Sequence, residues 1–316
     1  MVTALTFGDV KQAADRIAGR VRPVSVAPVD PGALGPESCQ VWLALEFMQH
    51  TGSFKARGAV NFLLSHRETG TLPGVGVTIA SGGNAGLACA WAAQQHRVHA
   101  TVFLPETAPS VKVERLRGYG ADVRLVGAEY AEAAAACAEF AASTGALASH
   151  AYDHPLIAAG AGTLLEEVRQ QVADLDTVVV AVGGGGLFSG VAAAAEAHGV
   201  RVVAVEPGNC RALNAAVEAG QVVDVPVESI AADSLGARRV SEMALHAARR
   251  GDVRSVLVED DAVVRARRAL WDHRRLVVEH GAATALSALT SGVYVPGEDE
   301  RVAVVLCGAN TSPADL

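Results

Sequence analysis

Lysine is scarce in this chain. It occurs only at Lys11, Lys55 and Lys112, although lysine and arginine together number 26. A lysine amine can lose its proton and attack a carbonyl carbon, which a guanidinium cannot do. Lys55 sits in Thr51-Gly52-Ser53-Phe54-Lys55-Ala56-Arg57-Gly58, among small residues and beside Phe54. That setting suits an amine that forms a Schiff base with an aldehyde. On position alone, a solvated lysine is the simpler reading. A second feature is the run Gly183-Gly184-Gly185-Gly186-Leu187. Without Cβ atoms, a backbone can curl until several N–H groups face one anion. A helix starting there adds partial positive charge, so a phosphate is the expected guest. The run has neither the G-x-G-x-x-G pattern of dinucleotide sites nor the lysine of a P-loop. A third segment, Ser81-Gly82-Gly83-Asn84-Ala85-Gly86, combines a free backbone with side-chain donors on Ser81 and Asn84. Alone it reads equally well as a helix-capping turn. Two such turns suggest a ligand with two anionic ends.

These segments follow strand-like runs. Residues 77–80, 100–104 and 121–126 are short, apolar and β-branched, and helical patterns follow at 87–95, 110–117 and 129–143. A second series has strands at 177–182, 201–205 and 301–306, with helices at 156–172, 187–198, 261–276 and 283–290. Strand-then-helix alternation with nearly continuous apolar strands predicts parallel sheets covered on both faces. The fold class is therefore α/β, as two doubly wound open-sheet units. In such sheets, ligands gather at the carboxyl ends of strands. The glycine run ends the strand at 177–182, the SGGNAG turn ends that at 77–80, and Cys307-Gly308-Ala309-Asn310-Thr311 ends that at 301–306. Residues 28–36 read as a loop, and residues 218–254 give no clear pattern.

Composition narrows the function classes. Half of the 316 residues are hydrophobic, 19% are charged and the formal net charge is −8. This describes a globular chain with ample core and without the basic footprint of a nucleic-acid or anionic-membrane binder. No apolar run reaches the roughly 18 residues of a membrane span. Asp9, Lys11, Asp15 and Arg16 interrupt the place where a signal peptide needs an apolar core. Cys39, Cys89, Cys137, Cys210 and Cys307 are dispersed and form no C-x-x-C pair, as expected for reduced thiols in a cytoplasm. His150 and His154 lack the partners of a metal motif, and Pro155 after them predicts a loop or a helix start.

The motifs around Lys55, Asn84, the four glycines and Cys307, in this order and spacing, resemble the pyridoxal-phosphate (PLP) enzymes of the serine/threonine dehydratase family, of the tryptophan-synthase-β-like fold type II. The likeness runs from about Phe7 to the end of the chain. It implies PLP as cofactor, Lys55 as Schiff-base lysine and Phe54 packed by the ring. Asn84 corresponds to the asparagine that meets the phenolic oxygen of PLP. Gly183, Gly184, Gly185, Gly186 and Leu187 correspond to the phosphate cup, and Cys307 to the residue at the pyridine nitrogen. Ser81, Gly82 and Ala85 lie in the turn that holds the substrate carboxylate. Glu206 resembles an acidic residue that helps bind a cation. Ala212 stands where divalent-ion relatives carry a second carboxylate, so a monovalent ion such as potassium is expected. Glu279 matches a family segment in which His280 replaces proline.

The resemblance implies a division into 1–48 with 149–316 as the large PLP-binding domain and 49–148 as the small one. It also implies a homodimer. The tail after Cys307 is short, so no C-terminal regulatory domain is expected, which points to a catabolic enzyme. A neutral thiol at the pyridine nitrogen suits β-elimination better than transamination. Gly82 replaces the serine that family racemases use as an acid, and Ala85 and Cys307 match animal-type serine dehydratases. The expected reaction is conversion of L-serine or L-threonine to pyruvate or 2-oxobutanoate and ammonia. Another β-hydroxy amino acid such as 3-hydroxyaspartate, racemisation, and a PLP-binding protein without turnover are the alternatives.

Overall fold

A strand without polar alternation needs cover on both faces. The valine-rich runs obtain it in two sheets. The computed structural model describes residues 4–315, with strands β1 (Val26–Pro28), β2 (Gln40–Ala44), β3 (Val77–Ala80), β4 (Ala100–Leu104), β5 (Asp122–Leu125), β6 (Leu147–Ala148), β7 (Thr177–Ala181), β8 (Arg201–Pro207), β9 (Val253–Val258) and β10 (Arg301–Val305). The larger sheet has the order β1-β2-β10-β7-β8-β9, and the smaller one β5-β4-β3-β6. Every pairing is parallel except β1 with β2. All residues of β4 and β7 are buried.

This topology gathers the three sequence segments. From β7 the chain moves outward through β8 and β9, whereas β10 and β2 lie on its other side. The order therefore reverses between β7 and β10, and such a switch point leaves a crevice beyond the strand ends. The glycine run follows β7 and Cys307 follows β10. β2 pairs with β10 in the register Ala44 to Val305, so the chain leaving β2 arrives beside Cys307. There the Phe54 amide donates to the Cys307 carbonyl at 3.0 Å, and Ser53 bridges Gly308. Lys55 follows at once, as the first residue of helix Lys55–Glu68.

That helix packs against helix Pro155–Gln171 at backbone contact. A Cβ on Gly58 would lie 2.6 Å from the Ile157 carbonyl oxygen, and one on Gly160 would lie 2.7 Å from that of Arg57. Helix Asn84–Gln95 begins inside the SGGNAG turn rather than at 87, so Asn84 and Ala85 are its first residues. His154 caps helix Pro155–Gln171, with its Nδ1 accepting from the Leu156 amide, so the expected helix start is found. The unreadable stretch 218–254 holds helices Ala232–Leu235 and Glu242–Arg250. Among the described residues no helix is long and apolar enough to cross a membrane.

Candidate active site

Lys55 is half-buried at the meeting of the two sheets. Its Nζ donates to the Ala151 carbonyl at 2.6 Å and lies 4.8 Å from the centroid of the Phe54 ring. Burial pushes its pKa down to about 8, against the opposing influence of Cys307 and Glu279. An amine in that range keeps a useful free-base fraction near neutral pH, as a general base requires. Cys307 is buried, and desolvation pushes its thiol up to about 12, so it stays neutral.

Asn84 stands opposite. Its Nδ2 donates to both carboxylate oxygens of Glu279, at 2.9 and 3.0 Å, and its Oδ1 accepts from Asn310 Nδ2 at 2.6 Å. Glu279 also accepts from the Asn310 amide at 2.8 Å. The Glu279 carboxyl lies above its ordinary range because burial outweighs these bonds. Helix His280–Thr290 begins directly after Glu279, so His280 takes the first helical position without disturbing the segment.

Steric demands explain the four glycines one by one. A Cβ on Gly183 would meet the Leu235 backbone at 3.0 Å, and one on Gly184 the Tyr152 ring at 2.4 Å. Gly185 has a left-handed φ of 93° and faces Ala244 at 2.4 Å, and a Cβ on Gly186 would meet the Tyr152 carbonyl oxygen at 2.9 Å. Helix Gly186–His198 starts inside this curl and Leu187 is buried behind it. The first amides of a helix have no intrahelical acceptor. Close by in sequence to Lys55, the hydroxyl of Ser53 is fully buried and without a partner. A side-chain-free curl at a helix start, a depressed amine and an unpaired buried hydroxyl together fit an aldehyde cofactor that carries a phosphate.

Ser81, Gly82 and Ala85 are half-buried at the start of helix Asn84–Gln95. A Cβ on Gly82 would press Leu104 Cδ2 at 2.8 Å. Glu206 takes no part in this cluster. It is buried at the end of β8, where its two oxygens accept from the Leu213 amide at 2.7 Å and the Asn214 amide at 2.8 Å. Burial pushes its pKa up to about 7. Among the described residues no three His, Cys, Asp or Glu side chains gather as a metal-ligand set.

Ala151 and Tyr152 have no local signal, and Asn310 stands in the segment after Cys307 without one of its own. Ala151 acts through its carbonyl, Tyr152 through its ring against Gly184, and Asn310 through contacts with Asn84 and Glu279. Behind the site, Arg57 is fully buried and bonds Glu46 at 2.6 Å and Glu167 at 2.7 Å. Arg57 stands within the Lys55 motif, which is the one sequence hint of this anchor.

The family model for pyridoxal-phosphate dependent enzymes matches residues 26–308. A rat protein named serine dehydratase-like is 36% identical over 85% of each chain. An L-threonine ammonia-lyase from Geobacter sulfurreducens is 36% identical, over 85% of this chain and 67% of its own. Among solved structures, maize serine racemase aligns with a TM-score of 0.90 at 27% identity, covering 98% of this chain and 95% of its own. With a fold of type II and a family model that matches residues 26–308, this chain belongs to the family of pyridoxal-phosphate dependent enzymes.

Proposed function

We propose that the protein is a PLP-dependent ammonia-lyase that dehydrates L-serine or L-threonine to pyruvate or 2-oxobutanoate and ammonia. The observation that carries this reading is the convergence of a depressed Lys55 amine, a neutral Cys307 thiol and a glycine-lined helix start at one switch point. The similarity to serine dehydratase-like and threonine ammonia-lyase proteins supports it.

PLP, when bound, supplies the aldehyde that takes the substrate amine and the ring that accepts the electron pair from Cα. Lys55 would anchor it, Phe54 pack beside it, Asn84 face its phenolic oxygen and Cys307 its ring nitrogen. The amides from Gly183 to Leu187 would hold the phosphate. The turn at Ser81, Gly82 and Ala85 binds the substrate carboxylate with the positive end of helix Asn84–Gln95. The free amine of Lys55 removes the Cα proton. The neutral Cys307 thiol would donate only a weak hydrogen bond to the ring nitrogen, which would favour prompt loss of the β-hydroxyl. Gly82 offers no acid on the opposite face, so proton return there, and with it racemisation, is disfavoured.

The proposal extends to a cytoplasmic homodimer whose large domain comprises 1–48 and 149–316 and whose small domain comprises 49–148. It also extends to a potassium ion at Glu206. Equal kcat/KM in potassium, sodium and tetramethylammonium salts would remove the ion. The decisive assay is 2-oxo acid release by PLP-loaded protein from L-serine, L-threonine and 3-hydroxyaspartate. No release from any of them would end the dehydratase reading, and D-serine formation as the main outcome would replace it with racemisation.

A further inference from the structure

We propose that His150 is a substrate-contacting residue whose Nε2–H reads the β-hydroxyl of the amino acid and favours serine or threonine over 3-hydroxyaspartate. The inference rests on the dehydratase reading above.

His150 lies in the turn between β6 and helix Pro155–Gln171, next to the Ala151 carbonyl that holds Lys55 Nζ at 2.6 Å. Its Nδ1 accepts from two backbone amides, those of Tyr152 at 3.2 Å and Asp153 at 2.8 Å. A nitrogen that accepts two N–H bonds carries no proton, so the neutral ring must hold its proton on Nε2. The ring is also fixed in direction. It meets Tyr152 edge to face, with centroids 4.8 Å apart at 84°. Tyr152 is itself braced against Gly184, and its hydroxyl donates to the Arg239 carbonyl at 3.2 Å. His150 is exposed, and its Nε2 has no partner among the described residues. A donor of known tautomer therefore stands one residue from the carbonyl that holds the Lys55 amine.

The charge state sets the chemistry of what it reads. The two amides that bond Nδ1 hold the ring in its neutral form, and partial desolvation, with the nearby Lys55 charge, lowers its pKa against the pull of Asp153. A neutral N–H suits a hydroxyl oxygen, whereas a second substrate carboxylate calls for a cation. Arg239, whose carbonyl meets the Tyr152 hydroxyl, is engaged with Asp224 at 2.7 Å.

The test compares His150→Asn with the parent protein. Asparagine Oδ1 can still accept the two amides as an Asx turn does, but it brings no donor to the Nε2 position. The holoenzyme is titrated with L-serine and with L-alanine, which lacks only the hydroxyl, and the change in PLP absorbance gives each Kd. The expected result is a Kd for L-serine raised about tenfold, as for one lost hydrogen bond, with that for L-alanine within about twofold. Equal weakening of both, or no change in either, overturns the proposal. If the asparagine variant loses PLP, His150→Gln is read in the same way, and loss of PLP by both variants also overturns it. A kcat/KM for 3-hydroxyaspartate above that for L-serine would reject the neutral-donor argument. A parent protein that shows the serine-selective loss yet releases no 2-oxo acid would keep the contact and reject the dehydratase.

Discussion

Lys55 owes its reactivity to where its helix begins. The amine hangs between a carbonyl, a phenyl ring and a neutral thiol, and no carboxylate bonds it directly. Desolvation therefore wins, and the pKa falls to about 8. Because the proposed base works only when deprotonated, activity should rise with pH through that value and level off above it. A profile of kcat, which reports the substrate-bound enzyme where the amine is free, with its acidic limb centred near pH 6 would contradict Lys55 as the base. Replacement Lys55→Ala removes both base and anchor. It should abolish 2-oxo acid release and the yellow absorbance of the PLP-loaded protein, and an unchanged spectrum would reject the anchor. The resemblance implies Cys307 as a weak partner for a ring nitrogen. An ordinary thiol is already neutral near pH 7, and burial raises its pKa to about 12, a shift no residue type announces.

Elements differ in how openly they declare themselves. β3, β4, β7 and β10 are apolar runs whose burial follows from composition, and each lies within a residue or two of its expected place. β9, at a sheet edge, places the polar pair Arg254–Ser255 between Val253 and Val256, so only a short apolar run marks it. Helix Lys55–Glu68 is hidden for another reason. It is buried along most of its first three turns, so the polar stripe that marks a surface helix is missing. Its close approach to helix Pro155–Gln171 rests on Gly58 and Gly160. Replacing Gly58 by alanine sets a methyl 2.6 Å from a carbonyl oxygen that cannot swing away. Overpacking of this kind costs about 1–3 kcal/mol. The denaturation midpoint of Gly58→Ala should fall accordingly, and PLP affinity should fall with it because Lys55 rides on the same helix. Unchanged values for both would mean that the helices separate freely.

At the scale of the molecule, what matters joins segments far apart in the chain. The Lys55–Ala151 and Asn84–Glu279 contacts span 96 and 195 residues, and no local pattern could reveal them. Arg57 fastens helix Lys55–Glu68 to Glu46, beyond β2, and to Glu167 on helix Pro155–Gln171. Arg57→Ala would strand Glu46, which is itself fully buried, and breaking such a pair costs about 3–5 kcal/mol. Thermal unfolding should register that loss, and a shift no larger than a surface mutant's would dismiss the anchor.

A second link spans the cleft at its surface. Lys112, on the helix after β4, meets Asp233 on helix Ala232–Leu235, the helix whose Leu235 lines the glycine run. This pair ties the helix after β4 to the side of the site that carries the glycine run. Both partners are exposed, by 36% and 76%, so the pair contributes little to stability and salt weakens it. Its influence should fall on closure over substrate. Lys112→Ala should leave the melting temperature unchanged and raise KM for L-serine by no more than about fivefold. Added sodium chloride should raise KM of the parent protein towards that of the variant and leave the variant almost unaffected. If salt moves both to the same extent, the screened charges lie elsewhere and the Lys112–Asp233 pair does not hold the cleft closed.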